Sequence, residues 1–221
     1  MMPTAPLTAG FFDQEPQALA RGLLGKVLRH RVDDLWLSAR IIEAEAYDRT
    51  DRASHSSLGR TPSREAMFDP PGTIYMYYAR GADSLNFSAR GAGNAVLIKA
   101  AFPVADTLSD QRCLERMKAL NPGNHGPRTL ERLCRGQTLL CRALGLRVTD
   151  WNRRPLDPER FRIDDDGYRP ARVVRCPRLG IPVGRDEHLL YRFVDESYAR
   201  HCTSNPLTKR GWVEGRDFVL E

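Results

Sequence analysis

The chain has 221 residues, 41% of them hydrophobic and 28% charged, enough for one sizeable core and without an apolar run long enough to span a bilayer. Lys plus Arg exceed Asp plus Glu by 34 − 28 = +6, which favours an anionic partner such as nucleic acid over a basic one. Five cysteines (Cys113, Cys134, Cys141, Cys176, Cys202) form no C-x-x-C pair and are odd in number, which argues against a disulfide frame or zinc site and for reduced thiols.

Residues 1–10 carry no signal-peptide pattern and are expected to be frayed. From Gln17 to Leu24, apolar residues at Leu19, Leu23 and Leu24 recur at helical spacing, and a strand is expected near Lys26 to Arg31, with His30 solvated. Trp36 to Tyr47 reads as a strand with Glu43, Glu45 and Tyr47 on one face, successive residues on that face about 7 Å apart. That spacing sets each acid beside an aromatic ring rather than opposite a basic partner, so a solvated acidic edge is one reading of it.

The loop Asp48 to Ser63 contains His55 and the arginines Arg49, Arg52 and Arg60, with Arg64 just beyond; loops of this length are more often functional than idle. Such arginines fix the position of phosphates without reading sequence; a solvated loop balanced by Asp48 and Asp51 is the plainer alternative. After the turn Pro70-Pro71-Gly72, Thr73 to Tyr78 alternates as a strand with Tyr75 and Tyr77 on one face. Leu85 to Ser88 is a third strand of this meander, Arg90 to Asn94 a hairpin-type turn, and Ala95 to Ala100 a fourth strand with Leu97 and Lys99 on one side. If the inward faces coincide, Glu45, Tyr47, Tyr77, Asn86 and Lys99 surround one pocket.

Helices are expected over Val104 to Ala119, capped by Asp106 or Thr107, then Thr129 to Cys134, and Thr138 to Leu144 with Gly145 as its stop. Gly136 lets a backbone approach closely and suits either a phosphate or a simple interhelical turn. Asp164-Asp165-Asp166-Gly167 lacks the downstream Glu of a calcium loop and reads as a solvated turn. Val173-Val174, Cys176 to Ile181 and Tyr191 to Val194 read as further strands, and Cys202 to Glu221 as a polar tail whose Lys209 and Arg210 could meet DNA. The fold expected is α+β: a single domain over residues 1–221 with a mixed, mostly antiparallel curved β-sheet and flanking helices.

Several strings, in order, carry a resemblance: Leu19 to Leu28, Ile42 to Tyr47, His55-Ser56, Met67-Phe68, Pro71 to Tyr77, Leu85-Asn86, Gly91 to Ile98, Gly136 to Leu146 and Arg178 to Ile181. Together they resemble the alkyladenine (3-methyladenine) DNA glycosylase family over nearly the whole chain. The resemblance implies an enzyme of DNA repair that flips an alkylated or otherwise damaged purine out of double-stranded DNA and hydrolyses its N-glycosidic bond. It implies Glu45 as the base on a water, Lys99 beside that water, and Ile181 as the position whose backbone carbonyl helps hold it. Tyr47, His55 and Tyr77 match the positions that sandwich the flipped base, and an electron-poor purine stacks best there. Asn86 matches the position that excludes undamaged guanine, and Leu97 the same wall. Arg80, or else Tyr78, is the wedge in the vacated gap, and Arg64 and Gly136 are backbone contacts.

Two residues depart from the family pattern. Lys99 stands where Arg is common, and the two are not interchangeable at a bidentate site. Arg80 stands where Tyr is usual. A Lys also raises an imine-forming lyase, but Glu45 acting on water suits a monofunctional hydrolase with no cofactor and no metal. The resemblance further implies a monomer in the cytoplasm, on the nucleoid if bacterial, with no membrane partner. Competing readings are a non-catalytic module that stacks single-stranded bases and a carboxylate-pair hydrolase built on Glu43 and Glu45.

Overall fold

In the computed structural model, which describes residues 5–221, strand-forming runs join one sheet. Its members are β1 (Ala5–Pro6), β2 (Val27–Val32), β3 (Leu35–Tyr47), β4 (Ile74–Ala79), β5 (Ala82–Ser88) and β6 (Ala95–Pro103). They are followed by β7 (Phe161–Asp165), β8 (Val173–Cys176), β9 (Arg192–Asp195) and β10 (Val219–Leu220). The order is β1-β7-β2-β3-β6-β5-β4, with β9 on β3, β8 on β9 and β10 on β8. Every pairing of these strands is antiparallel, and the parallel contact among the described residues is an isolated bridge between Glu214 and Phe218. The α+β class holds, with an antiparallel sheet in place of a mixed one.

β3 organises the sheet. One edge pairs with β2 through Leu35 to Arg40 and then with β9 through Glu43 to Glu45, while β6 runs along the other. Ile41 faces Ala101, Glu43 faces Ala100 and Ala44 faces Ile98, so Ile42 and Lys99 are each an extra residue in their strand. Such bulges re-aim side chains. Leu37, Ala39 and Ile41 point into the main core before the break, and Ala44 and Ala46 after it. The change of parity turns Glu43, Glu45 and Tyr47 to the opposite face.

The core face is covered by α1 (Pro16–Leu23), α2 (Gln111–Leu120), α3 (Leu130–Leu133), α4 (Gln137–Leu144) and α5 (Val148–Trp151). Leu19, Leu23, Met117, Leu133, Leu140 and Leu144 are fully buried in it, each contributing about 1.5–3 kcal/mol of transfer free energy. Gly145, at φ 67°, ends α4 in the left-handed conformation that its missing Cβ permits.

Several expectations are corrected. Residues 1–4 of the frayed segment lie outside the described residues, but Ala5 and Pro6 pair with Asp165 and Asp164. His30 is buried rather than solvated: Nδ1–H donates to the Leu144 carbonyl at 2.7 Å and Nε2 accepts from Trp151 Nε1–H at 3.1 Å. Asp110, not Asp106 or Thr107, caps α2 by accepting from the Arg112 and Cys113 amides; Asp106 caps the preceding turn and binds Arg29. The acidic triplet is not a solvated turn. Asp164 is fully buried against Arg29 and Arg162, Asp165 pairs with Lys26, and Asp166 with Arg40. Residues 177–181 are irregular backbone rather than strand, and the polar tail returns to the sheet as β10.

Candidate active site

A cavity of about 680 Å³ opens where the exposed-side ends of β3, β4, β5 and β6 meet the loops 48–63 and 177–190. Strand alternation delivers Tyr47 from β3, Tyr75 and Tyr77 from β4, Asn86 from β5, and Leu97 and Lys99 from β6. His55, from the 3-10 helix His55–Leu58, and Ile181 complete the wall. Of the sequence-predicted residues, Tyr47, His55, Tyr77, Arg80, Asn86, Leu97, Lys99 and Ile181 line this one cavity.

Glu45 lies behind that lining, fully buried. Its Oε2 accepts from the Tyr47 hydroxyl at 2.8 Å, and its Oε1 accepts from the Leu179 amide at 3.2 Å and faces Lys99 Nζ at 3.3 Å. A carboxylate offers about four acceptor sites. Hydrogen bonds take two and the Lys99 ammonium stands against Oε1, which leaves Oε2 an acceptor site for a water.

Glu43, on the same strand face, has a different fate from the solvated edge expected. Arg192 Nε lies 3.0 Å from its Oε1, Thr203 donates to it from Oγ1 at 2.6 Å and from its amide at 2.9 Å, and it is fully buried. Burial pushes its carboxyl up, against the pull of Arg192 and Thr203. With every oxygen committed, Glu43 cannot act as the second carboxylate of a pair, and the hydrolase built on both acids is discarded.

The aromatic walls are tied together. Tyr75 and Tyr77 stack with centroids 5.5 Å apart and planes 26° from parallel, and His55 stands edge-on to Tyr77 at 4.6 Å. His55 Nδ1 and the Tyr75 hydroxyl are 2.9 Å apart. Burial, with Arg64 and Arg185 nearby, lowers the His55 imidazole and so favours its neutral form. Burial raises the Tyr77 phenol. Burial and the Glu45 charge raise the Tyr47 phenol well above its usual range, so it is a hydroxyl donor to Glu45.

At the mouth, Arg80 and Gly81 join β4 to β5 with φ 51° and 80°, both left-handed, the geometry of a type I′ two-residue hairpin. Arg80 lines the cavity; Tyr78 is exposed on the hairpin and does not. Arg64 is turned inward: it donates to the His55 carbonyl at 2.8 Å and holds that loop in shape. Gly136, φ 116°, precedes α4 and stays outside the lining, whereas its neighbours Gln137 and Thr138 are part of it.

Sequence reasoning assigned no role to Tyr75, Gln137, Leu179 or Arg178. Parity with Tyr77 was a signal for Tyr75. For Arg178 the signal was only its place in the string Arg178 to Ile181, because its partners Ala46, Asp51 and Tyr47 are more than 100 positions away in the chain.

The profile of methylpurine-DNA glycosylases matches residues 10–199. The chain belongs to that family. It is 58% identical over 220 residues to a Pseudomonas savastanoi pv. phaseolicola protein, covering 99% of this chain and 98% of the relative. A Pseudomonas aeruginosa relative is also 58% identical, over 216 residues, 97% of this chain and 90% of the relative. One from Koribacter versatilis is 36% identical over 193 residues, 85% and 89%. All three bear the name 3-methyladenine DNA glycosylase as a provisional assignment. The chain is thus a DNA glycosylase, an enzyme of alkylated-base repair whose substrate is DNA, and the matches give no support to a non-catalytic binding module. Among the described residues no helix is long and apolar enough to cross a membrane.

Proposed function

We propose that this glycosylase flips a damaged purine from duplex DNA into the aromatic cavity and hydrolyses its bond to the sugar, leaving an abasic site. The observation that carries the reading is the Glu45 carboxylate, held by two hydrogen bonds and an ion pair behind an aromatic-walled cavity with an acceptor site to spare. The water on that site gives a proton to Glu45 while its oxygen bonds the anomeric carbon; the C–N bond breaks and its electron pair leaves with the base. The carboxylate charge also stabilises the oxocarbenium-like centre.

Tyr47, Tyr77 and His55 hold the base by stacking, worth about 1–3 kcal/mol per base. Asn86 and Leu97 shape the wall that sorts purines. Asn86 is braced by its Nδ2–H donating to the Tyr75 carbonyl at 3.1 Å. Ile181 supplies a carbonyl to the water, and Lys99 is the cation beside Glu45 and the scissile phosphate. Arg80, at the hairpin tip, fills the gap left in the stack, because a planar guanidinium stacks on neighbouring bases. Tyr78 and the main chain at Gly136 meet the backbone. Arg64 serves indirectly, through the loop that carries His55. The protein acts as a monomer and as one domain, in the bacterial cytoplasm, and the reaction so written consumes water alone.

Substituting Glu45→Gln tests this. Duplex oligonucleotides carrying a methylated purine are expected to bind the variant about as tightly as the native enzyme, while abasic-site formation falls by at least about a hundredfold. Unchanged base release would remove Glu45 from the chemistry.

A further inference from the structure

Arg178 has no role in the reaction just described, yet its side chain is fully buried one ring away from the cavity. Its Cζ lies 4.7 Å from the Tyr47 ring centroid and 5.4 Å from that of Tyr191. Arg178 is not part of the cavity lining, so it occupies the face of Tyr47 turned away from the base. Nη1 donates to the Ala46 carbonyl at 3.0 Å and pairs with Asp51, and Nη2 donates to the Asp186 carbonyl at 3.4 Å. Nε is buried without a hydrogen-bond partner among the described residues. The guanidinium is therefore held over the ring from both loops that border the cavity.

The negative face of an aromatic ring attracts cations from either side. With Arg178 on one face of Tyr47, a positively charged base on the other meets a ring whose charge is already answered, together with a second cation behind it. Arg178 is buried, and burial strengthens the interaction. The departing base feels the same field. When the C–N bond breaks, a neutral purine takes up the electron pair and gains negative charge, whereas a cationic alkylpurine leaves neutral. Asp51 offsets part of the charge, so the effect is a bias rather than a block.

We propose that Arg178 is a positioning residue that, acting through Tyr47, weights the site toward neutral damaged purines relative to cationic alkylated ones. The inference rests on the function proposed above and adds the charge class of base that the pocket favours. It divides the walls: Tyr77, stacked on Tyr75 with no cation over it among the described residues, supplies the attraction for charged lesions, and Tyr47 tempers it.

The test is the ratio of single-turnover release rates for 7-methylguanine, which is cationic, and hypoxanthine, which is neutral, in the same duplex. Arg178→Met is expected to raise that ratio about tenfold, the scale of one cation–π contact. Arg178→Lys, which keeps the charge, is expected to leave the ratio near the native one even if both rates drop. Because Arg178→Met strands the buried Asp51, the double variant Arg178→Met/Asp51→Asn is measured beside it and should show the same rise. Equal slowing on both lesions in all three variants would overturn the proposal and make Arg178 a purely structural brace. Native enzyme that releases 3-methyladenine, also cationic, but neither of these bases would overturn the weighting; release of none of the three would overturn the function itself, and that arm is read first.

Discussion

Two acids and a histidine show how far a single residue's surroundings decide its use. Glu43 and Glu45 sit two positions apart on one face, and only the second keeps a free acceptor site at the cavity. Their spacing was legible in the sequence, as was Lys99 beside Glu45; Arg192, which arrives from β9 to pair with Glu43, was not. His30 was misread for a similar reason, because Trp151 and Leu144 reach it from the far end of the chain. Burial lowers its imidazole below the ordinary value, and both ring nitrogens are already satisfied in the neutral form. The unfolded chain takes up a proton near pH 6.5 and the folded one resists it, so stability is present above that pH and is lost as pH falls. The loss runs at up to about 1.4 kcal/mol per pH unit. Thermal unfolding between pH 7 and pH 5 should therefore show a falling midpoint. His30→Gln, which can still donate to Leu144 and accept from Trp151, should flatten that fall; the part that remains belongs to His55, which is also lowered.

At the scale of elements, the β4–β5 hairpin carries the most information. Arg80 holds φ 51°, a conformation that costs a residue with a Cβ about 1–2 kcal/mol and that Asn or Gly adopts more readily. A long cationic side chain kept in a position that suits Asn points to use rather than to turn formation. Arg80→Asn is expected to leave the melting temperature equal or higher while weakening lesion-DNA binding and base release; a variant with native activity would remove Arg80 from the wedge role. The strands around this hairpin were readable because their alternation is regular. Residues 177–181 were not, because apolar residues there face a cavity rather than a sheet partner, and irregular backbone at a site leaves no period to read.

At the scale of the molecule, the sequence yielded α1 to α4 and the strands β2 to β6, β8 and β9, and the resemblance supplied the pocket, while α5, β1, β7 and β10 went unread. What lay beyond reach was the stitching: β9 wedged against the distal half of β3, β1 laid on β7, and β10 closing on β8. None of these contacts is local, so no window of sequence reports them. The buried arginines mark the same seams, Arg29 to Asp164 and Asp106, Arg192 to Glu43, Arg178 to Asp51, each joining distant segments. Each of these buried cations meets a carboxylate, so the net surplus of +6 lies elsewhere, Arg80 at the cavity mouth among it, and is what DNA would meet.

The doubled irregularity at Ile42 and Lys99 leaves an arithmetic signature: each inserted position offsets the other, so the strands regain step with one another on both sides of the break. Loss of Ile42 alone, or of Lys99 alone, would throw one strand out of step and expose apolar side chains, and neither protein should accumulate in folded form. Removing both together should give back a foldable chain with an uninterrupted ladder. Recovered solubility of the double deletion beside insoluble single ones would show that the paired irregularity keeps register, whereas repair is lost with the Lys99 ammonium in any case.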